Sequence, residues 1–229
     1  MRKNLLLTLV GLFIATLSMA QDREMRNHDS FSGISVGGGV DLIVTQSEDF
    51  SVEVITSGEV DDIETRVSRG ILEIRQRSNS WFTWNDKVEV RVSMPYLEFL
   101  NASGGSDVES KGMMRGDQLE IKASGGSDVE LAISYDKLEV NCSGGSDVEL
   151  TGDVGFLDLQ TSGGSDFDGG ELVAQEAELS TSGGSDATIH VKKKLYARAS
   201  GASDIMYYGS PEYVNVDSSG GADIRGSRN

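Results

Sequence analysis

The sequence predicts an all-β fold, a right-handed parallel β-helix-like solenoid with coils of about 19 residues. The first observation behind this prediction is the pentapeptide SGGSD, which recurs along the second half of the chain. Copies begin at Ser103, Ser124, Ser143, Ser162 and Ser182, with the softened forms SGASD from Ser200 and SGGAD from Ser219. The steps between starts are 21, 19, 19, 20, 18 and 19 residues. A period of this size is typical of repeat architectures such as solenoids.

The second observation is the alternation of apolar and polar residues on both sides of each copy. LEIKA precedes Ser124, and VEL follows the pentapeptide from Val129. This period of two predicts strands with one buried face. A unit of 19 residues is too short for two strands and a crossover helix, so each coil must stack directly on the one before it. Seven coils at about 4.8 Å each would form a rod about 34 Å long.

Residues 1–20 have the features of a secretory signal peptide. Arg2 and Lys3 precede an apolar run that ends at Leu17, and Ser18-Met19-Ala20 resembles a cleavage site. The run is shorter than the roughly 20 apolar residues that span a bilayer, and no later stretch is apolar enough to do so. The pattern therefore predicts an exported protein of the periplasm, the outer-membrane surface or the extracellular space, with no transmembrane segment after cleavage.

The remaining chain divides into a short linker, residues 21–30, and a single solenoid domain, residues 31–229. Within the domain, residues 101–229 carry the SGGSD coils, and residues 31–100 are predicted to form opening coils and a cap. Four segments of this first part have strand character, and GGGVD from Gly37 resembles a degenerate eighth corner. The four segments are Val40–Val44, Val52–Ile55, Ile71–Ile74 and Val88–Val92.

Charge and cysteine content exclude several classes of function. Without Arg2 and Lys3 the chain has 18 basic and 37 acidic residues, a formal net charge of −19. Such a surface repels nucleic acid and anionic membranes. The single cysteine, Cys142, excludes an intrachain disulfide and occupies a position where other coils have small inward residues. Two histidines and one cysteine also argue against a zinc site.

The corner itself raises a question about its aspartates. Glycine provides the positive φ that a sharp turn requires. Stacked coils would place the corner aspartates in a ladder, where neighbours about 4.8 Å apart repel by roughly 1 kcal/mol in water and about 3.5 kcal/mol at an effective dielectric of 20. Either the carboxylates cap backbone N–H groups of the turn, or they bind a row of Ca²⁺ ions. The ladder comprises Asp107, Asp128, Asp147, Asp166, Asp186, Asp204 and Asp223.

The order of motifs resembles a known family. ISVGGGVD opens it from Ile34, IETRVSRGILEI follows from Ile63, VEVRVSMPY from Val88, then the SGGSDVEL repeats and YYGSP from Tyr207. This arrangement is similar to the putative auto-transporter adhesin, head GIN domain family. The resemblance covers about residues 30–225 and implies a β-helix-like fold and an envelope or extracellular location. It implies no catalytic residues.

These patterns predict a non-catalytic envelope or cell-surface protein that acts in adhesion or interaction, with an unknown protein or glycan as partner. The stretch SNSWFTWND from Ser78 places Trp81, Phe82 and Trp84 between two strands, as a ligand-binding surface or as a packed cap. A cation-stabilised structural module is one alternative. A pectate-lyase-like enzyme is another, but no acid–base pair stands out in so regular an array of acids. No cofactor other than Ca²⁺ is indicated.

Overall fold

The computed structural model describes residues 22–77 and 87–227. It is a parallel β-solenoid of about 7 turns with ~19-residue coils, which confirms the predicted fold. Within the described ranges the only helical element is a single 3₁₀ turn at Val60–Asp62. The strands are β1 Asp22–Arg26, β2 Gly33–Gly37, β3 Asp41–Gln46, β4 Ser51–Thr56, β5 Ile63–Ser68, β6 Ile71–Gln76, β7 Val88–Met94, β8 Phe99–Ser103, β9 Asp107–Ser124, β10 Asp128–Ser143, β11 Asp147–Gly163, β12 Asp166–Gly183, β13 Asp186–Gly201, β14 Asp204–Tyr208, β15 Tyr213–Gly220 and β16 Asp223–Ser227.

Strands β9 to β13 are each a nearly complete coil, running from one corner to the next. Neighbouring coils pair in parallel, and equivalent residues of the repeat lie opposite one another. Between β10 and β11, for example, Asp128 lies opposite Asp147 and Ser143 opposite Ser162, without any register shift. The sequence period is therefore also the period of the hydrogen-bonded ladder.

The core is a continuous stack of inward side chains that runs through the solenoid. In β10 the buried residues alternate from Val129 to Tyr135, and the alternation restarts at Leu138 after the exposed pair Asp136-Lys137. That change of phase marks a second bend in the coil. The segment TGDVGF from Thr151, which leads from one corner toward the next, lies inside β11. This return segment is strand because backbone pairing with adjacent coils continues through it, whereas residues 209–212, between β14 and β15, are not in a strand.

The first part of the chain adds antiparallel strands to the parallel stack. β2 and β3 pair in parallel with the coils, whereas β1 with β4, β4 with β7 and β5 with β6 are antiparallel. GGGVD is indeed a corner: Gly38 and Gly39 have φ of 79° and 71°, and Gly39 N–H donates to Gly104 O at 3.1 Å. Leu42 lies opposite Val108, so this corner stacks on the corner that begins at Ser103.

The segment expected to be a linker, residues 21–30, contains strand β1. β1 covers the edge of β4, and the Arg26 guanidinium donates to the carbonyl oxygens of Val60, at 2.7 Å, and Ile63. These charge-assisted hydrogen bonds hold the segment against the domain. Sequence periodicity did not predict strand β1, because its sequence DREMR has no alternation of apolar and polar residues.

Candidate functional site

The repeated corner has two conformations. In the corners that begin at Ser103, Ser124 and Ser143, both glycines have positive φ, as with Gly125 at 67° and Gly126 at 71°. In the later corners only the first glycine does, as with Gly163 at 84° and Gly183 at 85°. The second position of a later corner therefore accepts a side chain. This explains why Ala202 can replace glycine in SGASD.

The second serine of the pentapeptide is a structural residue that the sequence interpretation missed. Its hydroxyl closes the turn or links two coils: Ser106 Oγ donates to Ser103 O at 2.8 Å, and Ser146 Oγ donates to Ala123 O, one coil back, at 3.1 Å. The signal was available, since each serine lies two residues before an inward apolar residue and so faces the core. All six are fully buried: Ser106, Ser127, Ser146, Ser165, Ser185 and Ser203.

The corner aspartates form the expected ladder, and Asp41 extends it. All are exposed. In the later coils a carboxylate accepts from the backbone of the next coil: Asp186 N–H donates to Asp166 Oδ1 at 3.2 Å, and the same contact joins Asp204 to Asp186 at 3.1 Å and Asp223 to Asp204 at 3.2 Å. The aspartate carboxylates thus cap backbone N–H groups of the next coil, whereas the sequence suggested that they cap N–H groups of their own turn.

The surroundings of Asp41, the first member of the ladder, favour the protonated form of its carboxyl group. Burial raises the pKa of Asp41 above its ordinary value, and the carboxylates of Asp107 and Glu89 raise it further. Within residues 22–77 and 87–227, no group of three or more acidic, histidine or cysteine side chains is placed to hold a metal ion. A calcium role for the ladder therefore stays a prediction.

Two further sequence predictions concern Cys142 and the aromatic loop. Cys142 is buried at 2% exposure and stacks between Ala123 and Thr161. Burial, with a smaller effect of Asp147, raises the pKa of its thiol to about 12, so the thiolate nucleophile does not form at neutral pH. Trp81, Phe82 and Trp84 lie outside the described residues, and their predicted role in binding stays a prediction.

A groove on the outer face of the last coils has a volume of about 700 Å³. We call it the C-terminal groove. Two columns of outward side chains, at alternate positions of β11, β12, β13 and β15, form most of its lining. Leu179, Ala197 and Val216 also line it. The first column is Asp158, Glu178, Tyr196 and Asn215. The second column is Gln160, Ser180, Arg198 and Asp217.

The groove combines an aromatic surface with planar hydrogen-bonding groups. Tyr196 is 41% exposed, and its ring lies 5.3 Å from that of Tyr213 at an angle of 46°. Arg198 is the one cation among the lining residues, and it stacks between Ser180 and Asp217 in the second column. An exposed ring beside amide, carboxylate and guanidinium groups can pack against an apolar sugar face and exchange hydrogen bonds with hydroxyl groups.

Sequence analysis did not identify this groove because its residues are outward and belong to no motif. Each column takes one residue from each of four coils, about 19 residues apart in the chain. The inward residues of the same strands are apolar or small in every copy, whereas the outward ones change type from coil to coil. This contrast between constant inward residues and variable outward residues was the only sequence signal for the groove, and it requires the correct register between coils.

The fold and this groove define a class of protein: a parallel β-solenoid with a polar face built from repeated coils. The chain belongs to the family described as putative auto-transporter adhesin, head GIN domain, which matches residues 30–211. The family resemblance found in the sequence is thereby confirmed. No match was found among curated proteins.

Solved structures share the fold over almost the whole chain. A putative adhesin from Bacteroides fragilis is 22% identical, with a TM-score of 0.84 over 92% of this chain and 98% of that one. A putative adhesin from Parabacteroides merdae is 19% identical, with a TM-score of 0.71 over 90% and 96%. A putative lipid binding protein from Parabacteroides distasonis is also 19% identical, with a TM-score of 0.72 over 90% and 96%.

Proposed function

We propose that this chain is a non-catalytic adhesin of the cell envelope that binds a carbohydrate through the C-terminal groove. The observation that carries the proposal is the groove itself, where Tyr196 presents a ring among the polar side chains of four coils. Parallel coils place one side chain of each column about every 4.8 Å. A long, regular surface of this kind suits an extended ligand better than a compact one.

The charge of the groove narrows the ligand class. The lining carboxylates are Asp158, Glu178 and Asp217, and they outnumber the single guanidinium of Arg198. Like charge across an interface lowers affinity, so a polyuronate would be disfavoured. Neutral sugars and sugars that carry an amino group fit the lining best. This preference also argues against a pectate-lyase-like activity, whose substrate is a polyuronate.

An envelope location is part of the proposal. It is supported by the signal-peptide pattern of residues 1–20 and by the adhesin family to which the chain belongs. Among the residues that the structure describes, no helix has the length and apolarity needed to cross a membrane. The strongly acidic composition keeps such a rod dispersed in water.

The test is a binding screen of residues 21–229 against neutral, amino-bearing and uronate glycans, followed by variants. Tyr196→Ala removes the exposed ring, and we expect it to weaken binding about tenfold or more, as for an aromatic hot spot. Tyr96→Ala is the matched control, because Tyr96 is also exposed, at 63%, but does not line the groove.

Other outcomes of the screen would contradict the proposal in distinct ways. If Tyr196→Ala binds normally and Trp81→Ala/Trp84→Ala does not, the aromatic loop is the site. Glycan cleavage in the same assay would make the protein an enzyme, with Asp158 and Glu178 as the adjacent carboxylates to substitute first. If the wild-type protein binds none of the three glycan classes, the carbohydrate part of the proposal is wrong.

A further inference from the structure

The C-terminal end of the solenoid exposes residues that lie in core positions in every earlier coil. Val214 lies opposite Leu195 and Val216 opposite Ala197, both fully buried or nearly so in the coil beneath. Val214 is 40% exposed and Val216 46% exposed, because no described strand pairs with the outer edge of β15. All eight residues of β15 are exposed. Among the residues that the structure describes, no further layer covers this end of the solenoid.

The opposite end of the molecule is protected. Its edge strands are β1 and β5, and both carry charged side chains along their length, as in DREMR of β1. Arg66 of β5 pairs with Glu73 at 2.6 Å, and Glu64 with Arg75 at 3.1 Å. Charged side chains are a common device that prevents edge-to-edge pairing. The single charged residue of β15 is Asp217.

We propose that two copies of this chain pair through their C-terminal ends, with β15 and β16 of each copy antiparallel to the same strands of the other. A two-fold axis gives this arrangement, since it sets the same surface against itself. Val216 and Ile224 then meet their equivalents, and Val214 lies opposite Ser218 of the partner, so that the two layers complete the core at the junction. A second copy of the chain suits this exposed end because it presents the same unpaired strand edges and the same inward apolar residues.

Charge complementarity supports a second copy as the occupant. Val216 and Ile224 both point inward and lie four residues on either side of Gly220. The two-fold axis sets Val216 opposite Val216 of the partner, and Ile224 opposite Ile224 of the partner. In this register Asn215 lies opposite Asp217 of the partner, and Asp223 lies opposite Arg225 of the partner. Asp223 and Arg225 already pair within one chain. The junction therefore places no like charges directly opposite each other in either strand pair.

The pairing would also extend the C-terminal groove. Asn215 and Asp217 of β15 form the last row of the groove, which is open on that side. In the dimer, the same row of the partner continues the surface, so the two grooves become one face of twice the length. The dimer itself does not depend on carbohydrate binding, and its test needs no glycan.

The experiment is to measure the mass of residues 21–229 in solution by light scattering and sedimentation over a wide concentration series. Val216→Lys places a charge in the proposed junction, where two lysines would meet in an apolar layer. Its site is half-exposed in the single chain, so folding should be preserved and checked by circular dichroism. Met25→Lys, at a 61% exposed position of β1, is the matched control at the opposite end.

We expect a dimer for the wild-type chain and for Met25→Lys, and a monomer for folded Val216→Lys. A wild-type protein that stays monomeric at the highest concentration overturns the proposal. So does a dimer that survives Val216→Lys or is lost in Met25→Lys, since either places the contact elsewhere. If Val216→Lys does not fold, the milder Val216→Thr, which keeps the side-chain volume and adds one hydroxyl, must still weaken the dimer severalfold.

Discussion

At the scale of single residues, the corner shows how one pentapeptide serves two backbone conformations. Gly126 and Gly164 occupy the same position of the motif, yet only Gly126 has positive φ, at 71°. At positive φ, a residue with a Cβ atom has a conformational free energy about 1–2 kcal/mol less favourable than glycine. At Gly164 no atom lies within 4 Å of an added Cβ. The motif alone therefore overstates how many of its glycines are required.

We expect Gly126→Ala to lower the free energy of unfolding by about 1–2 kcal/mol because of its positive φ. Gly164→Ala should leave it unchanged or raise it by about 0.4–1 kcal/mol, because alanine restricts the unfolded chain. Urea unfolding of both variants measures the difference. Equal losses in the two variants would mean that the two corner conformations are energetically the same.

At the scale of elements, the ladder of aspartates holds neighbouring coils together through their backbones. Asp204 is both a donor and an acceptor: its backbone N–H donates to Asp186 Oδ1, and its own Oδ1 accepts from Asp223 N–H. The side chains of the ladder are exposed, so the repulsion between neighbours is screened by water and salt. The hydrogen bonds explain why a repeated acid is compatible with a stable stack.

Substitution of Asp204 separates capping from cation binding. Asp204→Asn keeps an oxygen acceptor and removes one charge, so we expect an equal or higher melting temperature. Asp204→Ala removes the acceptor and should cost about 0.5–1.5 kcal/mol. Melting curves in Ca²⁺, in Mg²⁺ and in chelator, at matched ionic strength, complete the test. A large Ca²⁺-specific stabilisation that Asp204→Asn abolishes would show that the ladder binds metal.

The strands of the repeat were predictable because alternation and period are local properties of the sequence. The Gly-Gly corner, the inward Cys142 and the strands from Val40 to Val92 follow from the same local signal. The antiparallel pairing of β1, β4 and β5 was not predictable, because partner and direction depend on contacts distant in the chain. The C-terminal groove was missed for the same reason, since its columns exist only once the coil register is known.

At the scale of the whole molecule, stability should vary along the rod. Each coil contacts only its neighbours, so an inner coil has two stabilising interfaces and a terminal coil has one. β10 is paired on both sides along most of its length, whereas β15 is paired with β13 alone. The exposed apolar residues of β15 add little burial to compensate for the missing interface.

Hydrogen exchange tests this gradient. In monomeric Val216→Lys, we expect the amides of β15 and β16 to exchange much faster than those of β10 and β11, because local opening costs less at an end. Mass spectrometry of peptides from each coil gives the comparison directly. Uniform protection from β10 to β16 would show that the solenoid opens as one cooperative unit, contrary to this expectation.

The residue-for-residue register between coils also affects how such a protein can change over generations. Ser124 and Ser143 lie opposite each other, in corners of the same conformation, so removal of residues 124–142 would join positions that are already equivalent. Recombination between the stretches of the gene that encode these near-identical repeats can therefore add or delete a whole coil, and each event changes the length of the rod by about 4.8 Å. The length of the solenoid can therefore change over generations in steps of 19 codons.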